Sequence, residues 1–190
     1  FPGYGDEKTT PVNIDTETLI KNGFKAGKDI DDAQLHELII QSDKRRANEK
    51  ALYLLERRNH SQKELADKIS RVTSREAAEA AAQHMADIGL VNDEEFAKSY
   101  TREMFTRKGF SAKRVLYELL KKGIDKEFAQ TVVEDFAPDP VEKILEIINK
   151  KYSKKLSDEK SRRRSIAALQ RLGYRWDDIK AALNQFENED

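Results

Sequence analysis

The stretch that decides the fold is residues 111–136, SAKRVLYELLKKGIDKEFAQTVVEDF, which contains two helical patterns separated by a glycine. Gly123 ends the first pattern, because glycine readily adopts the left-handed conformation that closes a helix. In the second pattern the apolar residues recur at the i, i+3, i+4, i+7 spacing of one helix face. They are Phe128, Ala129, Val132, Val133 and Phe136. The segment therefore predicts two amphipathic helices packed against each other.

This pattern recurs along the chain at a spacing of fifty residues. Ser61, Ser111 and Ser161 each lie in or before a basic, helix-favouring segment. The second and third such segments stop at Gly123 and Gly173 and are followed by another helical pattern. A further helix precedes each pair, so the repeating unit has three helices. Self-similarity at this period is typical of helical repeat proteins.

The first helix of each unit and its caps can also be assigned from the sequence. The apolar stripes of these first helices are Ala47, Ala51, Leu54 and Leu55, then Phe96, Ala97, Tyr100 and Met104, then Val141, Ile144, Leu145 and Ile148. Asp93 is expected to cap the second of them. Two capping boxes are predicted in the first unit, Ser61 with Glu64 and Thr73 with Glu76.

Residues 11–43 do not follow the repeat. Val12 and Ile14 alternate with polar residues in the manner of a short strand, and helices are predicted after it, the second from about Asp32 to Gln41. A lone strand leaves backbone groups unpaired. A pairing partner is therefore expected upstream of Phe1, where the sequence begins without Met.

The predicted fold class is all-α, with three tandem three-helix repeats forming an elongated curved array behind a short N-terminal segment that holds a strand and helices. The segment Pro138-Asp139-Pro140 breaks the helix before the third repeat. The predicted divisions are 1–43 for the N-terminal extension, the remnant of a small module, then 44–91, 92–137 and 138–190 for repeats 1, 2 and 3.

Composition and charge exclude several classes of protein. The absence of cysteine excludes disulfides, thiolate metal sites and a cysteine nucleophile. No apolar run approaches the roughly 18 residues of a membrane-spanning helix, so we expect a cytoplasmic protein with no membrane association. Residues 1–43 carry 4 basic and 9 acidic side chains, and the other 31 basic and 26 acidic ones give the rest a net charge of +5. Such a balance favours a polyanion or an acidic protein face as the partner.

The search for a catalytic constellation returns little. There is no phosphate-binding glycine loop, no nucleophile-elbow motif and no zinc-protease motif. His36, His60 and His84 stand alone, without ligand neighbours at zinc spacing. The pairs Glu94-Glu95 and Asp177-Asp178 lie in the first turns of predicted helices, where carboxylates complement the helix dipole. We therefore expect no enzyme, no metal and no cofactor.

Basic residues cluster near the predicted helix ends, where cations also stabilise helix C-termini or face solvent. The dipole accounts for Lys121-Lys122 but not for Arg162–Arg164, which lie near a helix start. Phe110 and Tyr174 are expected in the core, whereas Trp176 is expected to be an exposed anchor. The residues expected to contact a partner are Arg57, Arg58, Arg107, Lys108, Lys121, Lys122, Arg162, Arg163, Arg164 and Trp176.

Four segments resemble the RecX family in their order and spacing. They are Ala47–Leu65 (AxxxALxLLxRRxHSxxEL), Ile88–Tyr100 (IGLVNDEEFAxxY), Gly109–Ile124 (GFS, then LxxKGI) and Gly173–Ile179 (GYRWDDI). Residues 12–43, including Lys21-Asn22-Gly23-Phe24-Lys25, resemble the N-terminal extension of longer members. Two features depart from the family pattern. Val72-Thr73 stands where the family usually has glycine and an aromatic residue, and the alanine run Ala77–Ala82 thins the apolar face of its helix.

The resemblance implies a cytoplasmic regulatory protein that binds the RecA recombinase. Such a protein sits along the groove of the RecA–single-stranded DNA filament and mainly restrains the ATPase and strand-exchange activities of RecA in recombination and DNA repair. The expected partners are the RecA filament and single-stranded DNA within or outside it, and a monomer is expected. The alternative is a helical-repeat DNA-binding module that acts without RecA, because three-helix units can resemble helix-turn-helix domains.

Overall fold

The computed structural model describes residues 12–27, 29–152 and 158–189, and every regular element within them is helical. The all-α prediction is confirmed. The elements are α1 (Thr16–Lys21), α2 (Asp32–Leu55), α3 (Gln62–Ile69), α4 (Arg75–Asp87), α5 (Asp93–Glu103), a π-helical segment (Met104–Lys108), α6 (Ala112–Lys121), α7 (Lys126–Phe136), α8 (Pro140–Lys151), α9 (Glu159–Arg171) and α10 (Trp176–Glu189).

Three separate apolar cores lie within three helix trios, and this confirms the tandem three-helix arrangement. The first core joins α2, α3 and α4 around Leu65 and Met85. The second joins α5, α6 and α7 around Leu119, and the third joins α8, α9 and α10 around Ile148 and Leu169. Helices of this length are marginal alone in water, so each trio depends on its shared core.

The chain forms two compact units by its internal contacts, residues 1–91 and 92–190. The first unit contains α1–α4, and the second contains α5–α10. In the first unit, α2 and α4 pack through small side chains, because Ala47, Ala51, Ala78 and Ala82 are all almost fully buried. The alanine run that looks poor in apolar bulk therefore forms a core through close approach of two helices rather than through large side chains.

Helix α1 is attached to α2 by polar contacts around Asp15. The Asp15 carboxylate caps α1 by accepting hydrogen bonds from the Thr18 backbone N–H at 2.9 Å and from the Thr18 hydroxyl at 2.5 Å. The backbone N–H of Asp15 donates to the hydroxyl of the buried Ser42 at 2.9 Å. Arg45 in α2 forms ion pairs with Asp15, at 3.5 Å, and with Glu17. These contacts fix the short helix on the side of the long one.

The N-terminal cap of α1 is expected to weaken in acid. The hydrogen bond from the Thr18 side chain, helped by the Thr18 backbone N–H, Ser42 and Arg45, lowers the pKa of Asp15 from 3.8 to about 2. A carboxyl with a lowered pKa in the folded state stabilises the fold above its unfolded pKa, and this contribution is lost as the pH falls through the folded pKa. The loss should therefore occur between pH 3.8 and about 2. NMR titration of the Asp15 carboxyl measures it directly, and a midpoint at the ordinary aspartate value would contradict the arrangement.

The second unit holds its two trios together at two glycines with left-handed backbone. Gly109 has φ 66°, and a Cβ there would lie 3.1 Å from the Ile147 Cδ1. Gly173 has φ 97°, and a Cβ there would lie 2.5 Å from the Ser111 Oγ and 2.9 Å from the Arg114 Cβ. The backbone N–H of Ser111 also donates to the Leu172 carbonyl at 3.0 Å. The turn before α10 is therefore packed directly on the start of α6.

The N-terminal segment differs from its prediction in two ways. Residues 12–15 contain no strand, because Asp15 caps α1 and the chain turns into a helix at Thr16. The helix predicted to end near Gln41 continues to Leu55, since no proline or glycine interrupts residues 32–55. The predicted boundary between residues 43 and 44 therefore falls inside α2, and the division into four segments stays a prediction.

Two predicted caps are wrong by one residue. Asn92, not Asp93, caps α5 by accepting a hydrogen bond from the Glu95 backbone N–H at 3.0 Å. Ser74, not Thr73, caps α4, because the backbone N–H of Ser74 is held by the Asp43 carboxylate of α2 at 2.9 Å. The prediction for Ser61 is confirmed in its main bond, since its hydroxyl accepts from the Glu64 backbone N–H at 3.1 Å.

Candidate interaction site

The titratable residues of the described ranges form no group of three or more that could hold a metal ion. His36 and His84 are exposed, and His60 is buried with its Nδ1 3.0 Å from Glu64. A cavity of about 240 Å³ in the second unit is lined mainly by apolar side chains such as Phe105 and Phe110. Ligand pockets usually exceed about 300 Å³, so this cavity is small for a metabolite. Two cavities of the first unit are larger, about 400 Å³ beside Asn22 and Phe24 and about 380 Å³ beside Lys44 and His84, but neither is lined by a group of described residues that could hold a metal ion. The exposed cations and aromatic rings are therefore the stronger candidates for a contact surface.

The two arginines after α2 have different surroundings. Arg58 donates hydrogen bonds to the Glu64 carboxylate from both terminal nitrogens of its guanidinium group, at 2.8 and 3.1 Å. Glu64 is only 11% exposed, and its carboxylate also lies near His60 and, at 3.9 Å, near Lys68. Arg58 therefore fixes the start of α3. Arg57 instead lies over the ring of Tyr53, with its Cζ 4.6 Å from the ring centroid.

The π-helical segment presents Arg107 and Lys108 to solvent. The wider turn ends at Gly109, and the Phe110 backbone N–H donates to the Met104 carbonyl at 3.2 Å. Arg107 is 72% exposed and pairs with Glu103 at 2.6 Å. Exposed pairs of this kind contribute little to stability. Both cations are therefore available at the surface, although Arg107 must exchange one carboxylate for another anion.

Lys121 and Lys122, at the end of α6, point to different surroundings. Lys122 is half-buried, and its Nζ lies 5.9 Å from the centroid of the Tyr100 ring on α5. Lys121 is exposed, and its Nζ lies 5.5 Å from the centroid of the Tyr117 ring. Of the two, Lys121 is the one positioned to meet a partner.

Arg162–Arg164 lie in the second turn of α9, not at its start. Asp158 caps this helix, so the unfavourable position expected from the dipole does not arise. A hydrogen bond from the Ser161 side chain lowers the pKa of Asp158 below its usual value. Arg162 pairs with Glu187 of α10 at 2.7 Å, and Arg163 pairs with Glu159 at 2.8 Å.

Arg164 and Trp176 are exposed members of the third repeat's predicted set, as is Arg163, whose side chain is 77% exposed. Arg164 is exposed, and no ion pair with it is found among residues 158–188. Trp176 is 49% exposed at the first residue of α10, whereas Tyr174 two residues earlier is buried. Burial raises the pKa of Tyr174 to about 12. The predicted positions of the tyrosine in the core and the tryptophan at the surface are therefore both found, and a contact role for Trp176 stays a prediction.

Two exposed tyrosines were missed from the sequence. Tyr53 and Tyr117 are 45% and 54% exposed, and each has a cation at position i−3 and another at i+4. The sequence contains the pattern K/R-x-x-Y-x-x-x-K/R in both helices. Charge counts do not detect it, because they do not relate a cation to an aromatic ring on the same helix. The predicted contact residues are divided between the two compact units. Arg57 and Arg58 lie in the first unit, and the others lie in the second.

The fold and surface define an all-α protein of tandem three-helix repeats. Within the described ranges, no helix combines the length and apolar character needed to cross a membrane. The family model for the second three-helix domain of RecX matches residues 92–133, which include α5, the π-helical segment and α6.

Relatives along the whole chain point to the same family. The regulatory protein RecX of Bacillus velezensis is 31% identical over 196 residues, which cover 100% of this chain and 74% of that protein. The regulatory protein RecX of Caldanaerobacter subterraneus is 32% identical over 171 residues, with 90% and 85% covered. The chain belongs to the RecX family of regulatory proteins.

Solved structures have the same fold. A crystal structure of regulatory protein RecX superposes with a TM-score of 0.63 at 18% identity, covering 95% of this chain and 92% of that one. The crystal structure of RecX from Lactobacillus salivarius superposes with a TM-score of 0.59 at 24% identity, covering 77% of this chain and 98% of that one. At these identities the likeness concerns the fold.

Proposed function

We propose that this protein binds RecA–single-stranded DNA filaments and mainly inhibits the ATPase and strand-exchange activities of RecA. The observation that carries the proposal is membership of the RecX family along 90–100% of the chain. The surface supports it, because cations and aromatic rings face outward on helices whose other faces form the cores. A tandem series of similar helical units offers repeated binding surfaces to a repeating polymer.

We infer that the protein acts by binding alone, as a monomer in the cytoplasm and without a cofactor. Inhibition would follow from occupancy of the filament, either along its length or at its growing end. Titration of the protein against a fixed amount of filament distinguishes these two modes, because binding at the end would inhibit far below the concentration of filament sites. Light scattering after size exclusion would test the monomer.

The decisive experiment is the DNA-dependent ATPase of RecA with increasing amounts of this protein. We expect inhibition by the wild type and at least about tenfold weaker inhibition after Arg162, Arg163 and Arg164 are all replaced by Glu, a loss of about 1.4 kcal/mol. Circular dichroism should show unchanged helix content. A variant with all three arginines replaced by Gln avoids new repulsion from Glu159 and Glu187 and should show a smaller loss.

A matched control separates the cluster from net charge. Replacement of the exposed Lys113, Lys126 and Lys180 by Glu changes the total charge of the second unit by the same amount. Inhibition should survive in this control variant. If both triple variants lose inhibition equally, the effect is one of overall charge, and if neither does, the arginine cluster is only a solvated helix face.

A DNA-binding module that acts without RecA is the second candidate. The tyrosines flanked by cations favour it, because basic grooves with aromatic rings bind single strands in other proteins. Salt-sensitive binding to bare oligonucleotides, together with no effect on the RecA ATPase, would support this candidate over the first.

A further inference from the structure

Two helices of this protein expose a tyrosine between two cations at the same spacing. In α2 the three residues are Lys50, Tyr53 and Arg57, and we call them the Tyr53 clamp. In α6 they are Arg114, Tyr117 and Lys121, and we call them the Tyr117 clamp. The clamps lie in different compact units. Each is therefore considered as a separate site.

The Tyr53 clamp faces away from the first core. The Lys50 Nζ and the Arg57 Cζ each lie 4.6 Å from the centroid of the Tyr53 ring, which is 45% exposed. The opposite face of α2 carries Ala47 and Ala51, both fully buried. The helix is therefore anchored on one side and offers a positively charged aromatic surface on the other.

The Tyr117 clamp is built in the same way on the second core. The Arg114 Cζ lies 5.7 Å and the Lys121 Nζ 5.5 Å from the centroid of the Tyr117 ring, which is 54% exposed. The buried face of α6 carries Val115 and Leu119. Arg114 is partly engaged, since it pairs with Glu118 at 2.7 Å and its Nε is buried without a hydrogen-bond partner among the described residues. The Tyr117 clamp should therefore bind more weakly than the Tyr53 clamp.

Stability alone does not account for these arrangements. A half-exposed ring contributes only part of the free energy of a buried one, and a cation–π contact at an exposed site is worth about 0.5–1 kcal/mol. In each clamp the two cation–π contacts hold the tyrosine ring between two positive charges. Seven residues of helix separate the two backbone positions by about 10.5 Å along the axis, and in the Tyr53 clamp both charged groups lean in toward the ring, each 4.6 Å from its centroid.

We propose that each clamp is a stacking site for one base of a single-stranded nucleic acid, in which the base replaces a cation over one face of the tyrosine ring and the two cations move to the phosphates on either side. A nucleotide in a single strand has an aromatic base that can stack on the tyrosine and a phosphate on each side that can pair with a cation. The chemistry of the strand therefore matches all three residues of a clamp. A protein partner would have to present an aromatic side chain between two acidic ones at this spacing, whereas every nucleotide of a single strand presents a base beside phosphates. The inference rests on the proposed function, since it identifies residues that would contact the DNA strand of the filament.

The stacking is tested by fluorescence anisotropy with a labelled oligothymidylate and the full-length protein. Loss of one stacked base by Tyr53→Ala should weaken binding by about 5- to 150-fold, with a smaller loss for Tyr117→Ala. Tyr53→Phe keeps the ring and should bind like the wild type. Leu52→Ala and Leu120→Ala are matched controls, because these side chains are 45% and 40% exposed on the same helices. They should bind as the wild type does.

An abasic strand of the same length and the salt dependence separate the ring from the cations. The abasic strand keeps its phosphates, so it should bind wild type weakly and no longer distinguish Tyr53→Ala from wild type. Lys50→Gln with Arg57→Gln should reduce the slope of log affinity against log salt by about 0.7 for each cation. Tyr53→Ala should leave that slope unchanged, because it removes no phosphate contact.

The results would separate failure of this inference from failure of the proposed function. Binding of oligothymidylate by both alanine variants at wild-type affinity overturns the inference, as does no binding by the wild type at low salt. If the same variants lose inhibition of the RecA ATPase while their DNA affinity is unchanged, the rings contact protein, and the inference is again overturned. In each of these three cases, inhibition of the RecA ATPase by the wild type would still support the proposed function.

Discussion

Gly173→Ala is expected to lower the free energy of unfolding of the second unit by about 2–5 kcal/mol. The backbone φ of 97° is strained for any residue with a Cβ, at a cost of about 1–2 kcal/mol. The new methyl group would also lie 2.5 Å from the Ser111 Oγ and 2.9 Å from the Arg114 Cβ. Ser111 caps α6, so neither neighbour can withdraw without disturbing the start of that helix. Overpacking of this kind adds about 1–3 kcal/mol.

The fluorescence of Trp176 is a suitable probe for this change. It is the only tryptophan of the chain and lies three residues after Gly173, within the second unit. Urea denaturation followed at this residue should show an earlier midpoint for Gly173→Ala. Gly109→Ala is the graded control, because its nearest neighbour is the flexible end of Ile147 at 3.1 Å, so the loss should stay near the strain of about 1–2 kcal/mol. Equal midpoints for the two variants would refute the close approach at Gly173.

Leu119→Ala should destabilise the second unit by about 2–5 kcal/mol, whereas Leu120→Ala should change its stability by less than about 0.5 kcal/mol. The two leucines are adjacent in α6, yet Leu119 is fully buried and Leu120 is 40% exposed. Truncation at Leu119 leaves a cavity in the core formed by α5, α6 and α7. Truncation at Leu120 leaves none, since solvent fills the space.

The pair of variants tests which face of α6 is buried, because helix propensity and chain length change equally in both. Urea denaturation by circular dichroism and by Trp176 fluorescence measures the two free energies. If Leu120→Ala proves the more damaging, then α6 is rotated about its axis, and Tyr117 would not occupy the position required of a stacking ring.

Much of the fold followed from local signals in the sequence. Gly109, Gly123 and Gly173 have the positive φ angles of helix-ending glycines. Ser61 and Ser111 both cap the helices that follow them. The repeat could therefore be predicted from the sequence. Caps and glycines end helices through contacts with residues close to them in sequence, and the apolar stripes keep the period of a helix.

The errors arose where distant residues decide between local options. Thr73 and Ser74 are both good caps, and two contacts favour Ser74: its backbone N–H donates to the Asp43 carboxylate on α2, and the Thr73 hydroxyl already donates to the Ile69 carbonyl. Ser161 keeps the spacing of fifty residues, yet Asp158 caps α9 and Ser161 becomes the third residue of that helix. These displacements, of one residue at α4 and three at α9, do not alter the hydrophobic pattern, so periodicity could not detect them.

The candidate site could be predicted from the sequence less completely than the fold. Charge counts identified cations such as Arg58, but they could not show that the nearly buried Glu64 already neutralises this one. The tyrosine clamps required knowing which helix face is exposed, and that depends on the packing of α2 and α6. The predicted contact residues stay predictions until binding is measured.

The uninterrupted course of α2 has a mechanical consequence. Its 24 residues form a rod about 36 Å long, with α1 attached near the middle through Ser42 and Arg45 and the first core attached through its second half. A displacement of α1 would therefore be carried along α2 to the first core, because the helix that joins them has no break between Asp32 and Leu55.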